Sequence, residues 1–273
     1  MVMVQPKGQD YEFEIWTESP CIYLDHWALR RLSENHVFGD RFLSAFKHRG
    51  TVMFSVMNAA EIARDLSSQR AHEIRDFLEK LGPHWFPMTI DPLRIINAEE
   101  TGKTPDGLAP CASGEFLKDP HFARRLATGP VSLACVVDLV YGPGGDDLRR
   151  VTAENMNQLW KAFEGHRDKY AKNQKSLANK FPLREFDATK PMLGIYHGLA
   201  RYTIKDTFPL NVNHMRDLFH AMVSVHSAEM VTLDAHWVGQ VGKLKLPSDF
   251  VHVYKEAELT QFLADLEAAP ATR

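Results

Sequence analysis

The chain has 273 residues, 44% of them hydrophobic and 25% charged, with a formal net charge of −3. That length is long for one domain and short for two, and the composition is that of a soluble globular protein. The balance of charge excludes a global basic field of the kind that advertises nucleic-acid binding, while leaving room for a local basic face.

Three cysteines, Cys21, Cys111 and Cys135, have neither paired spacing nor Cys/His metal spacing, which argues for a reducing compartment. The opening run MVMVQPKGQDYEFEIW has no basic segment leading into an apolar core, so no secretory signal is expected. No window approaches the ~20 apolar residues needed to cross a bilayer. The expected location is the cytoplasm, with no membrane partner.

Along the chain, Cys21-Ile22-Tyr23-Leu24 reads as a short buried strand that ends in Asp25. RFLSAFKHR then predicts a helix stopped by Gly50. TVMF, beginning at Thr51, predicts a second strand ended by Ser55. A helix from Val56 carries Ile62 and Leu66, and another from Ala71 carries Ile74, Phe77, Leu78 and Leu81 before Gly82-Pro83. Residues 85–90 suggest a third strand, which Pro87 assigns to a sheet edge. Residues 91–208 differ in kind: Gly/Pro-rich stretches (ETGKTPDGLAPCASGEF, YGPGGDD) punctuate sequence that is otherwise helical, and 151–177 has the alternating charge of an exposed helix. The alternation resumes with a helix capped by Asn213 that carries Asp217 in its first turn. There follow the apolar run Met230-Val231-Thr232-Leu233 ending in Asp234, a helix or loop through Trp237, a strand at 250–254 and a terminal helix from Glu256. The expectation is an α/β fold, a three-layer α/β/α arrangement around a mostly parallel sheet, formed by about 20–90 and 209–265 with a helical insertion at about 91–208.

Ligands of open parallel sheets bind beyond the carboxyl ends of the strands, where strand order reverses. Asp25 and Asp234 stand at such ends, Glu61 lies near the start of the helix after the second strand, and Asp217 starts at the carboxyl edge. Four converging carboxylates would bind protons unless a cation neutralised them. Oxygen-only ligands select a hard ion, Mg²⁺ or Mn²⁺. Such ions activate water and stabilise charge on a phosphoryl group.

The order of these motifs resembles the PIN-domain family of metal-dependent ribonucleases. YLD at Tyr23 resembles the family's first acidic motif, FSVMNAAEI at Phe54 the second, RDLFHAM at Arg216 the third and VTLD at Val231 the fourth. The resemblance implies a PIN-like fold, endoribonuclease activity, and Asp25, Glu61, Asp217 and Asp234 as the metal-binding and catalytic set for Mg²⁺ or Mn²⁺. It covers roughly 21–90 and 213–254. Two departures stand out: His26-Trp27 replaces the small polar residue that often follows the first Asp, and the chain is about twice the length of compact members. They motivate an alternative, a catalytically weak or inactive PIN-like module binding RNA or protein partners. The sequence leaves open RNA against DNA as substrate, an inhibitory protein partner, and a homodimer of the kind compact relatives form.

Each acid also has a purely structural reading. Asp234 can cap a helix, Asp217 can serve a helix dipole, and Asp65 can share or replace the role of Glu61. His220, three residues after Asp217, is a candidate partner or water ligand, with a packed histidine as the plainer reading. His26 and His236 neighbour strand-end acids. Lys169, Lys172, Lys175, Lys180 and Tyr170 read either as a phosphate-tracking face or as a solvated one. YGPGGDD lacks the Gly-Lys-Ser/Thr ending of a phosphate loop.

Overall fold

The computed structural model describes residues 1–7, 10–46, 50–62, 68–104, 106–113, 120–142, 146–206 and 210–270. It opens with an antiparallel hairpin, β1 (Val2–Lys7) and β2 (Asp10–Ile15), in register from Val2–Ile15 to Lys7–Asp10. No element is expected here from the sequence pattern.

A five-stranded parallel sheet forms the centre. Its strands are β3 (Cys21–Tyr23), β4 (Thr51–Phe54), β5 (Trp85–Pro87), β6 (Met230–Thr232) and β7 (His252–Tyr254), in the spatial order β5-β4-β3-β6-β7. Order reverses between β3 and β6, where Ile22 pairs with Met230 and Tyr23 with Val231. The inner strands are short and apolar because both faces are covered: Ile22, Tyr23 and Val231 are fully buried, and Val52, Met53 and Phe54 nearly so. Pro87 sits in the edge strand β5, where its missing N–H breaks no inner ladder. All five strands come from 21–87 and 230–254. The described residues between them contribute helices and one isolated bridge, Met88 to Ala112.

Between the first three strands lie α1 (His26–Glu34), α2 (His36–Phe46), α3 (Val56–Ile62) and α4 (Gln69–Lys80). The intervening stretch contributes α5 (Pro92–Thr101), α6 (Pro120–Leu126), α7 (Leu133–Tyr141), α8 (Asp146–Tyr170), α9 (Gln174–Lys180) and α10 (Pro191–Lys205). Next come α11 (Val212–Ser227) before β6, α12 (Ala235–Val241) after it, and a 3₁₀ turn (Glu256–Glu258) leading into α13 (Leu259–Ala268). Helices α1, α2, α4 and α13 pack as one set, and α8, α10, α11 and α12 as another. The result is an α/β fold compatible with three α/β/α layers. Among the described residues no helix is long and apolar enough to cross a membrane.

Several boundaries differ from expectation. Helix α11 begins at Val212, with Asn211 rather than Asn213 as its cap: the Asn211 side chain accepts from the His214 N–H at 3.0 Å. Asp217 is therefore the sixth helical residue, beyond the reach of the first-turn dipole. The described part of α2 ends at Phe46, residues 47–49 lying outside the description. Gly50 adopts φ 83° as the entry to β4, with the Pro20 carbonyl 2.8 Å from where a Cβ would stand. The charged stretch 151–177 is not a solvated rod. Helix α8 stops at Tyr170, Asn173 caps α9, and Met156 and Phe163 of α8 are buried in the core. Lys169 lies over the Tyr170 ring at 5.3 Å, an arrangement of neighbours on one helix end.

Candidate active site

Asp25 follows β3 and is the N-cap of α1, where one carboxylate oxygen accepts from the His26 N–H at 2.8 Å. Asp234 holds the corresponding place after β6 and before α12, but its side chain makes no capping hydrogen bond. The helix-capping reading of Asp234 therefore fails locally, and its carboxylate is directed elsewhere. Thr232 ties the two strand ends together. Its hydroxyl donates to the Tyr23 carbonyl at 3.3 Å and accepts from the Asp25 N–H at 2.8 Å. The sequence reading takes Thr232 as part of the VTLD motif and gives its hydroxyl no role. Its signal was the Thr-x-Asp spacing, which puts the hydroxyl one pleat before the acid.

Asp25, Glu61, Asp217 and Asp234 all line one cleft of about 670 Å³, together with His26, Trp27, Arg30, Arg70, Asn213 and Arg216. They come from the ends of β3 and β6 and from inside α3 and α11. Asp65, the alternative to Glu61, lies outside the described residues, as does Leu66. Asp234 also borders a second cleft of about 850 Å³, lined by Arg31 and Lys255 among others, so the acids sit in a groove and not in a closed pocket.

The charges act on one another. Burial, then the charge of Asp234, raises Asp25 well above the usual carboxylate range, with Asp217 and Glu61 adding to the effect. Burial, then Glu61 and Asp234, pushes Asp217 up to about 7, against a lowering by Arg216. Asp234 is the most exposed of the set; partial desolvation, Glu256 and Glu61 raise it and His236 lowers it. Glu61 is held differently: Arg216 donates to its carboxylate at 2.8 Å, and both side chains are mostly buried.

The residues suit a hard divalent cation in chemistry, since carboxylate oxygens whose proton affinity is raised by burial and mutual repulsion are those a cation would relieve. They are not gathered as ligands. Among the described residues no group of three or more His, Cys, Asp or Glu side chains could hold a metal ion as it stands.

His220 is not at the mouth of the cleft. It is buried, with Nε2 2.8 Å from Ser55 Oγ, and burial lowers it to about 4, so it is a neutral packing residue. Ser55 donates to Asn58, and Asn58 donates to the Tyr23 hydroxyl at 3.3 Å, forming a buried polar strut beneath the acids. His236 stacks edge-on against Trp237 at 4.8 Å. The three cysteines are free, and burial raises the Cys21 thiol to about 11 and Cys111 also upward, which keeps these two protonated.

Thr232→Val tests the tie between the strand ends. It removes the acceptor for a half-buried N–H, and about 1–2 kcal/mol of stability should be lost in denaturant melts. Asp25 should shift with it, so an unchanged melt would mean that water replaces the hydroxyl.

Comparison with protein-family models, curated proteins and solved structures finds no significant match for this chain.

Proposed function

We propose that the protein is a PIN-type, Mg²⁺- or Mn²⁺-dependent endoribonuclease. One observation carries the reading: four acids from four elements line a single cleft beside the point where the order of a parallel sheet reverses. A structural role for any one acid leaves the convergence of all four unexplained.

In this reading Asp25, Asp217, Asp234 and Glu61 would hold the cation, Glu61 at the cost of its bond to Arg216. A bound divalent ion supplies positive charge and acidifies water at neutral pH. The rest falls to the chain's own side chains. Asp25 is fixed by the His26 N–H and, through its backbone, by Thr232. Arg30, Arg70 and Arg216 line the same cleft, and Arg31 and Lys255 the adjoining one. Cations on both sides of the acids suit a polyanion that runs across the site with more than one phosphate engaged. A single-stranded RNA fits such an open groove, since no base pairing has to be accommodated.

The test is cleavage of single-stranded RNA in Mn²⁺ by the native protein and by Asp234→Asn. The expected loss is at least about 100-fold, since several kcal/mol of transition-state stabilisation go with the ion. Full activity in the variant would sink the assignment. The ion pair between Glu61 and Arg216 favours a second reading, a PIN-like module with weak or no catalysis that binds RNA or a protein. A native protein that binds single-stranded RNA without cleaving it in Mn²⁺ would select that reading.

A further inference from the structure

Arg216 is the feature of the cleft that the acidic motif does not explain. It stands beside Asp217 on α11, yet its guanidinium reaches a different element, donating through NH1 to Glu61 Oε1 at 2.8 Å. The pair joins α11 to α3, and the side chains are 12% and 19% exposed, so solvent screens it poorly. The Arg216 Nε is buried and has no hydrogen-bond partner. A guanidinium offers five N–H donors in a rigid fork. Here NH1 is taken up by Glu61 and the buried Nε has no acceptor, while the residue itself lines the cleft shared with Asp25, Asp217 and Asp234. A buried donor left unmatched in a resting site fits a group whose second partner arrives with the ligand.

We propose that Arg216 is an exchangeable counter-ion. It neutralises Glu61 while the acidic site is empty, gives Glu61 up when a divalent cation enters, and then turns its freed fork to a phosphate oxygen of the incoming chain. This rests on the metal-dependent reading above and adds a specific residue and order of events to it. The exchange balances charge at each stage. Glu61 has a positive partner before and after, and the guanidinium passes from a carboxylate to a phosphate, both of which it binds in a fork. Arg216 is thus a positioning residue toward the cation and a contact residue toward the phosphate.

The inference predicts opposite effects of one substitution on two readouts. In Arg216→Gln, Mn²⁺ uptake followed by calorimetry should be about tenfold tighter, because the cation no longer competes for Glu61. Cleavage of single-stranded RNA at saturating Mn²⁺ should fall by about tenfold or more. A merely structural arginine would weaken both together. Arg216→Lys guards against misfolding: it keeps the charge, loses the fork, and should bind Mn²⁺ as the native protein does while cleaving more slowly. In a Glu61→Gln background the tightening by Arg216→Gln should disappear. If it persists in full, or if Arg216→Gln leaves Mn²⁺ affinity unchanged or weaker, the counter-ion role is overturned and the metal reading stands. If the native protein takes up no Mn²⁺ at all, the metal reading falls and this inference with it.

Discussion

Asp25→Asn should make the cation-free protein more stable while it abolishes metal-dependent cleavage. The carboxyl group of Asp25 is half-buried at the base of the cleft, and the hydrogen bond from the His26 N–H favours its charged form. Ionising it at neutral pH means placing a negative charge in a low-dielectric site that already faces Asp234, Asp217 and Glu61. Asparagine keeps the oxygen that His26 needs and removes the charge. The variant should therefore be the more stable of the two at pH 8, where the native carboxyl resists ionisation. In melts with chelator present, the variant should unfold at higher temperature than the native protein at pH 8 and converge with it below about pH 4, where the native carboxyl is protonated in both states. A variant that loses both stability and activity would show Asp25 to be a structural acid, and the site would need another explanation.

The second large effect is a dependence of stability on pH that a divalent cation should erase. Asp25 and Asp217 have folded-state pKa values above the unfolded ones, Asp217 reaching about 7 through burial and the charges of Glu61 and Asp234. Such groups stabilise fully below their unfolded pKa, and the contribution is lost as pH rises through the folded value. His220 has the opposite sign. Burial lowers it to about 4, so its contribution is present above the unfolded value of 6.5 and is lost as pH falls toward 4. Between about pH 6.5 and 4 His220 and Asp217 therefore oppose one another, and the clear gain lies between about pH 8 and 6.5. Over that window the cation-free protein should gain stability as pH falls, because Asp217 takes up its proton there in the folded state. Millimolar Mn²⁺ at pH 8 should recover most of it, since the ion replaces the protons. A melting temperature that rises with pH across this window in chelator would contradict the linkage.

What could be read in the sequence follows from which interactions are local. CIYL, TVMF and MVTL were legible as strands because inner strands of a parallel sheet are covered on both faces and so are apolar without alternation. The acids at their ends were legible for the same reason, as the first charges after such runs. The start of α11 was misplaced by two residues because Asn211 and Asn213 are equally good caps in isolation. In the structure the Asn211 side chain accepts from the His214 N–H, so the first is the cap. The hairpin was missed because Gln5, Pro6 and Lys7 dilute its first strand, and nothing local announces that Val4 will be buried. Helix formers run through KYAKNQKSLANK, so the break at residues 171–173 left little trace. The contact between Arg216 and Glu61 bridges 155 residues, and no spacing rule could have paired them.

The bond from the Asp25 N–H to Thr232 spans 207 residues, and that has a consequence for the order in which the molecule is made. At roughly 5–20 residues per second of synthesis, β3 waits on the order of 10–40 s for the strand that completes its second edge. Pairings of such long range also close late in refolding, because the intervening loop must be brought together first. Asp25 and Glu61 are thus in place well before Asp217 and Asp234 exist. A site that needs all four acids is complete only once the chain has been synthesised past residue 234.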